Sequence, residues 1–217
     1  MNKASVLIVE DHPIFSKGLS LLINAEESFT VVGEARNGSE ALSMLVEKKP
    51  DLAVVDLNLG DEDGLEIIAA MKSRAANLKI LVLSMYDERY YAERALKAGA
   101  SGYVMKEEAS TLVIDALKTV LQGKIWLSEN EQNYLNEHLE GQDISSSDDC
   151  FASINQLSNR QLQVFLLIGK GFGTIEIAAK LDLSTKTIDA HKEHIKQKLH
   201  CANSQELRQL AVQWNAR

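Results

Sequence analysis

Cysteine is scarce in this chain: among 217 residues there are two, Cys150 and Cys201. They stand far apart with no second Cys near either, which excludes a zinc knuckle or a redox pair and leaves ordinary thiols. Long apolar runs are missing as well. The longest are strand-sized, well short of the roughly 20 residues that a membrane span needs, and the N-terminus lacks a signal-peptide pattern. A cytoplasmic protein with no membrane partner is therefore expected. Basic charge is in deficit, with 23 Lys and Arg against 31 Asp and Glu and a net charge of −8, which argues against a nucleic-acid binder over the whole molecule. The average conceals opposite parts. Residues 1–130 have 14 basic and 20 acidic residues, residues 131–157 have 0 and 6, and residues 158–217 have 9 and 5. A cationic tail follows an anionic body.

What the body does have is regular alternation. Runs rich in β-branched residues near 5–10, 29–33, 52–56, 79–84 and 101–104 alternate with helical-length segments near 13–25, 38–48, 64–73, 88–97 and 109–122. This predicts a doubly wound α/β fold on a five-stranded parallel sheet. Ala41, Leu42, Leu45 and Val46 recur at helical spacing, as do Leu112, Ala116, Leu117, Val120 and Leu121, and read as core. From Ser128 the chain turns polar, with a short helix expected through His138 and then a linker over Gly141 to Asp149, whose serines read as solvated. The tail predicts four helices, two of them opened by the capping-box pairs Ser158/Gln161 and Asn203/Glu206. Ile175, Ala178, Ala179 and Leu181 are expected to pack one helix, and Ile188, His191, Ile195 and Leu199 the next, after the short turn Leu181 to Ser184. Two helices joined so tightly suggest a helix-turn-helix in a small all-α domain. The expected division is 1–127, a linker over 128–154, and 155–217.

The strand ends carry the chemistry. Glu10 and Asp11 close the run Ser5 to Val9, and Asp56 closes Leu52 to Val55. Parallel strands deliver these acids to one edge of the sheet, where ligands bind in open α/β folds. Three uncompensated carboxylates would raise one another's pKa, so a divalent cation is expected, and oxygen-only ligands favour Mg²⁺. Asp11 is also a helix N-cap candidate, because Pro13 stands where a first turn would begin. Ser84 closes a third strand and Lys106 follows a fourth. Together they are the parts of a phosphoryl-transfer site: Asp56 as nucleophile, Mg²⁺ and Lys106 offsetting charge on the equatorial oxygens, and the Ser84 hydroxyl bonding to the transferred group.

The acidic pair, the turn from Asp56 to Gly64, Ser84, and the segment Ser101 to Lys106 fall in the order that characterises the receiver domain of bacterial two-component response regulators, which residues 3–125 resemble. The resemblance implies a flavodoxin-like fold and an Asp56 that accepts a phosphoryl group from a sensor histidine kinase. It implies Mg²⁺ held by Asp11, Asp56 and the Asn58 backbone carbonyl, with Glu10 acting through water. It makes Ser84 and Tyr103 the switch, the hydroxyl moving toward the phosphoryl group as the ring turns inward. Asn58 and Tyr86, two positions beyond Asp56 and Ser84, are expected to influence hydrolysis. Gly60 departs from the proline usual there, so a more flexible turn is expected.

Residues 155–214 resemble the LuxR-type helix-turn-helix domain, through Leu157 to Gln161, Leu181 to His191 and Lys198-Leu199. With the receiver this implies the NarL/FixJ class: a phosphorylation-activated transcription factor, dimeric when phosphorylated, with promoter DNA and the kinase as partners and RNA polymerase as a further candidate. It implies no enzyme beyond self-phosphorylation and self-dephosphorylation. The helix from Thr185 to Leu199 would enter the major groove, with Lys186, Thr187 and Lys192 at phosphates and Asp189, Ala190 and Glu193 facing bases. Two acids at base-facing positions predict weak non-specific binding. Leu207, Leu210, Ala211 and Trp214 give the last helix an apolar face for its own domain or a twin. Two other readings compete with this one. An aspartyl-phosphate hydrolase needs a second acid where this chain has Asn58. A ligand-switched regulator would use Trp126 to Ser128, but Glu129 follows and repels phosphate, so Trp126 reads as interdomain packing.

Overall fold

β1 (Ala4–Val9), α1 (Pro13–Ala25), β2 (Phe29–Ala35), α2 (Gly38–Lys48), β3 (Leu52–Val55), the short β4 (Asn58–Leu59) and β5 (Glu62–Asp63), α3 (Gly64–Arg74), β6 (Lys79–Ser84), α4 (Glu88–Ala98), β7 (Gly102–Met105) and α5 (Ala109–Leu121) follow in order. They belong to the first of two units, Met1–Gln142 and Asp143–Arg217, in a computed structural model that describes residues 3–60, 62–133, 154 and 156–216. Five strands make one parallel sheet in the order β2-β1-β3-β6-β7. From β1 the chain goes outward to β2 and then crosses back past β1 to β3, and this reversal leaves a crevice at the carboxyl ends of β1 and β3.

The strands are nearly continuous apolar runs because helices cover both faces. Val6, Leu7, Ile8 and Val9 are all buried, as are Leu52 to Val55 and Ile80 to Leu83. One face packs on α1 and α5 through Leu19, Ile23, Val113, Leu117 and Val120. Side-chain caps fix where helices start. Asn37 accepts from the Glu40 amide, Asp63 from that of Leu65, and Asp87 from that of Arg89. The cap candidate Asp11 does not cap α1: His12 holds that position and makes no side-chain cap bond. Pro13 supplies the start instead, its fixed φ being suited to a first helical turn.

After α5 the chain returns to the sheet. Trp126 bridges Gly102 in parallel at the β7 edge, and its side chain packs on the core of this unit. The interdomain role expected for Trp126 is replaced by this packing within the first unit. A helical turn covers 129–133; the rest of the helix expected through His138, and the Gly141 to Asp149 stretch, lie outside the described residues.

The second unit holds α6 (Asn159–Gly169), α7 (Thr174–Leu181), α8 (Thr185–Lys198) and α9 (Ser204–Asn215). Ser158 and Gln161 form the expected reciprocal capping box. Asn203 caps Gln205 and Glu206, but Glu206 reaches back to the Ala202 amide rather than to that of the cap. Ile188, Ile195 and Leu199 line the α8 seam, each worth roughly 1.5–3 kcal/mol of apolar burial. On α7 the buried pair is Ile177 and Ala178, while Ile175 is 77% exposed. The packed face is turned from the expected one by one residue, a little over a quarter of a turn, because the short helix faces its neighbours through the 174, 177, 178, 181 row. α9 packs within its own unit: Asn215 Nδ2 donates to the Leu166 carbonyl, and a Cβ on Gly169 would collide with the Ala211 carbonyl oxygen. No helix among the described residues is long and apolar enough to cross a membrane.

Candidate functional site

The parallel register decides what meets at the crevice. Val9 pairs with Val55, so Glu10 and Asp56, the next residues on their chains, emerge side by side. The Asp56 amide donates to the Val9 carbonyl at 3.0 Å and the Glu10 amide to that of Ala35 at 2.9 Å, which extends the ladder to the acids themselves. Both side chains are 3% exposed, and Lys106 Nζ lies between them, 2.6 Å from Glu10 Oε2 and 2.7 Å from Asp56 Oδ2. The Phe15 ring centroid stands 4.6 Å from the same ammonium. Burial pushes the Asp56 carboxyl up to about 6 despite the lowering pull of Lys106, and Glu10 adds to the rise. Burial also disfavours the Lys106 cation, yet the two carboxylates outweigh it and hold the lysine above its ordinary range.

Asp11 and His12 complete the edge. Glu10 Oε1 accepts from the His12 amide at 3.0 Å, and His12 Nδ1 lies 2.7 Å from Asp11 Oδ1. Oxygen or nitrogen atoms of Glu10, Asp11, His12 and Asp56 fall within 4.8 Å of one another. Asp11 Oδ1 is shielded from solvent, and the His12 Nδ1 beside it is not aligned for a hydrogen bond. A hard, oxygen-rich donor set with one such oxygen suits Mg²⁺.

Ser84 and Tyr103 sit behind the acids. Ser84 is fully buried and its Oγ accepts from the Tyr86 amide at 3.2 Å. Tyr103 is buried too, its hydroxyl donating to the Tyr86 carbonyl at 2.7 Å, and burial holds its phenol far above the ordinary range. The Tyr86 hydroxyl donates to Asn58 Oδ1 at 3.0 Å, and the Asn58 amide to Asp56 Oδ1 at 3.1 Å. A chain of hydrogen bonds thus joins Asp56 to Tyr103 through Asn58 and Tyr86.

Two glycines permit this geometry. Gly60 has φ +61° in the turn that pairs Leu59 with Glu62, and a proline, confined to φ of about −65°, does not fit there. The turn expected to be more flexible for want of the usual proline is flanked by the pairing of Leu59 with Glu62 and of Asn58 with Asp63. A Cβ on Gly64 would lie 2.5 Å from Leu57 Cα and 2.6 Å from the Asp56 carbonyl oxygen, so α3 can start against the strand end only with glycine there.

In the second unit Lys186, Asp189, Ala190 and Glu193 share one exposed face of α8. Thr187 caps inward, its amide donating to Ser184 Oγ at 3.0 Å. Lys192 is half-buried and donates to Thr174 Oγ1 at the start of α7, at 2.5 Å. Glu193 pairs with Lys196 at 2.8 Å. Lys198 Nζ ties the end of α8 to the Gln156 carbonyl and Gln161 Oε1, both at 2.9 Å. Arg160 ties α6 to the Leu181 carbonyl at 3.0 Å. The helix pair is thus braced from behind, leaving one face of α8 to solvent.

Residues 6–118 match the response regulator receiver domain, and residues 155–211 the luxR family of bacterial regulatory proteins. The chain belongs to the NarL/FixJ class of response regulators. It is similar along nearly its whole length to the oxygen regulatory protein NreC of Staphylococcus carnosus, with 36% identity over 95% of this chain and 96% of that one. RcsB of Salmonella enterica serovar Typhimurium, solved bound to promoter rprA in the presence of phosphomimetic BeF3-, shares 28% identity. That structure covers 97% of this chain and 99% of its own, with a TM-score of 0.60. A LuxR-family two-component response regulator from Aurantimonas sp. SI85-9A1 shares 30% identity over 64% of this chain and 100% of its own, with a TM-score of 0.59. This response regulator is therefore a regulatory protein with receiver and DNA-binding domains rather than a classical enzyme.

Sequence reasoning missed His12 and Phe15, which touch the acidic pair and Lys106. The signal for His12 was its place directly after the acids. Phe15 gave none, since an aromatic in a first helical turn ordinarily reads as core.

Proposed function

We propose that Asp56 is the phosphoacceptor of this regulator and that its modification activates DNA binding by the second unit. The buried Glu10–Lys106–Asp56 triad supports the reading most. A carboxylate oxygen of Asp56 forms the bond to phosphorus as the P–N bond of the kinase's phosphohistidine breaks and the imidazole leaves with its electron pair. Lys106, already 2.7 Å from Asp56 Oδ2, follows the charge onto the phosphoryl oxygens. Glu10, left with less of the ammonium, keeps its bond from the His12 amide. Asp11, Asp56 and the Asn58 carbonyl would hold Mg²⁺, with Glu10 through water, and the bound cation would neutralise charge on the phosphoryl oxygens. The Ser84 hydroxyl turns to the new group while Tyr103 stays inward. Self-dephosphorylation reverses the modification, water attacking where Asn58 and Tyr86 border the site.

The exposed face of α8 enters the major groove of promoter DNA, with Asp189, Ala190 and Glu193 toward bases and Lys186 toward phosphates; the phosphate contacts expected of Thr187 and Lys192 require those side chains to leave Ser184 and Thr174. The RcsB structure solved on promoter rprA supports the reading that this unit binds promoter DNA. The working division is a receiver over 1–127, a linker over 128–154 and a DNA-binding domain over 155–217. A cytoplasmic homodimer forms on phosphorylation, with RNA polymerase as a further partner. Intact mass after incubation with acetyl phosphate and Mg²⁺ tests the core of the reading. One phosphoryl group on the native chain and none on Asp56→Asn is expected; equal addition to both would overturn it.

A further inference from the structure

The receiver's last strand does not end in an open edge. The Tyr103 amide donates to the Trp126 carbonyl at 2.9 Å and the Trp126 amide to that of Ser101 at 3.1 Å. A Cβ on Gly102 would come within 2.9 Å of both Trp126 Cβ and its carbonyl oxygen, so the strap lies flat on the strand. Two residues on, Ser128 opens the helical turn: its Oγ accepts from the Glu131 amide at 3.3 Å and its carbonyl from that of Gln132 at 2.9 Å. Gln132 Nε2 folds back onto the Leu127 carbonyl at 2.7 Å. The Ser128 amide itself, which has no partner within the turn it opens, donates across the fold to Glu88 Oε1 at 3.0 Å.

Glu88 is the first residue of α4 and lies four residues beyond Ser84. Five consecutive residues therefore hold three groups: Ser84 Oγ accepts from the Tyr86 amide, the Tyr86 carbonyl accepts from the Tyr103 hydroxyl, and Glu88 accepts from Ser128. Beside them is a cavity of about 300 Å³ bordered by Glu88, Tyr103, Leu112, Trp126 and Gln132. Tyr103 borders this cavity, so a ring that gave up its bond to Tyr86 would have room there. A ring arriving there meets Glu88 and the strap.

We propose that Glu88 is a positioning residue that latches the strap at 126–133 to α4, so that the state of the Ser84–Tyr86 loop sets how firmly the segment leaving the receiver is held. The idea rests on the phosphoacceptor reading of Asp56. With Tyr103 inward the cavity is free of the ring and the latch closes; phosphorylation, by favouring that packing, tightens it. Nothing in the latch touches the reacting carboxylate, so the device acts on signal output and not on phosphoryl transfer.

Hydrogen exchange of the full chain, followed by mass spectrometry with and without acetyl phosphate and Mg²⁺, tests this alongside intact mass. In the native chain, exchange over 126–133 is expected to slow several-fold once the phosphoryl group is on. Glu88→Ala is expected to take up the phosphoryl group normally, lose that slowing, and bring the ratio of DNA affinities of the two states toward one. Glu88→Gln, which keeps an acceptor oxygen, is expected to restore most of both. Phosphoryl addition with no change of exchange over 126–133 overturns the latch and leaves the phosphoacceptor reading intact, whereas no addition to the native chain counts against that reading. In that second case the unmodified protein still decides: Glu88→Ala must speed exchange over 126–133, and an unchanged rate overturns the latch.

Discussion

Carboxylates stand at the working surface of both units, under opposite conditions. At the receiver edge Glu10 and Asp56 are each 3% exposed and share one ammonium at 2.6 and 2.7 Å. On α8, Asp189 and Glu193 face solvent, and Glu193 is 63% exposed where it pairs with Lys196. Buried acids must be paired or neutralised, and the fold around them is built to do so. Exposed acids are screened by water and salt, and nothing around them need adapt. The first arrangement therefore specifies chemistry, while the second sets the strength of an encounter.

The sharpest way to break this contrast is to remove the shared cation. Lys106→Ala leaves two buried carboxylates facing each other, and loss of one partner from a buried charge cluster costs about 3–5 kcal/mol. Urea unfolding in EDTA should show a loss of that order, and Mg²⁺ should restore part of it, because a divalent cation can take over the neutralising role. Asp56→Asn in the same assay should be near neutral, since Glu10 keeps Lys106 and one repulsive charge is gone. A Lys106→Ala protein as stable as the native chain in EDTA would remove burial from the explanation of the site.

The same contrast explains what was legible in the sequence. Alternation of β-branched runs and helical segments located all five sheet strands and the five helices of the first unit to within two residues, because strands buried on both faces leave uninterrupted apolar runs. Glu10, Asp11, Asp56, Ser84 and Lys106 could be named because each ends a strand, and a parallel sheet gathers strand ends at one edge. The β4–β5 hairpin escaped notice: two-residue strands have no periodicity, and its cause is the positive φ of Gly60. The α7 seam, expected over Ile175, Ala178, Ala179 and Leu181, was misplaced at Ile175 and Ala179 because eight residues allow overlapping apolar rows, and only packing against α8 selects Ile177 beside Ala178. The Glu88–Ser128 bond spans 40 residues between two ordinary surface types, and no local pattern announces it.

A smaller effect comes from the exposed acids. Glu193→Lys on α8 replaces a repulsive charge with an attractive one and releases Lys196 from its pair at 2.8 Å. Binding to a DNA of unrelated sequence should strengthen several-fold at low salt, and the slope of log affinity against log salt should steepen by about 0.9 per added phosphate contact. Stability should change by less than about 1 kcal/mol, as for exposed pairs generally. Fluorescence anisotropy over a salt series checks both, and a slope unchanged from the native chain would mean that this face of α8 does not meet phosphate.

Glu131 is the intermediate case: it is 4% exposed like the receiver acids, yet among the described residues it forms no ion pair. Burial first, then the charges of Glu88, Asp87 and Glu93 on or beside α4, push its carboxyl up to about 6, with Arg89 alone pulling it down. A carboxyl whose pKa is higher folded than unfolded binds more protons in the native state between those two values, so its contribution to stability rises as pH falls. From pH 7 toward 5 the strap should exchange its amides more slowly at matched intrinsic rate, and the gain should flatten below the ordinary glutamate range. Glu131→Gln mimics the protonated form, so it should hold the strap as firmly at pH 7 as the native chain does at pH 5 and lose that pH dependence. The effect is the smallest of the three because α4 neighbours, not a fixed cation, set the charge balance there. A native strap whose exchange follows only the intrinsic pH dependence would place Glu131 with the solvated acids of α8, and burial alone would no longer separate the two classes.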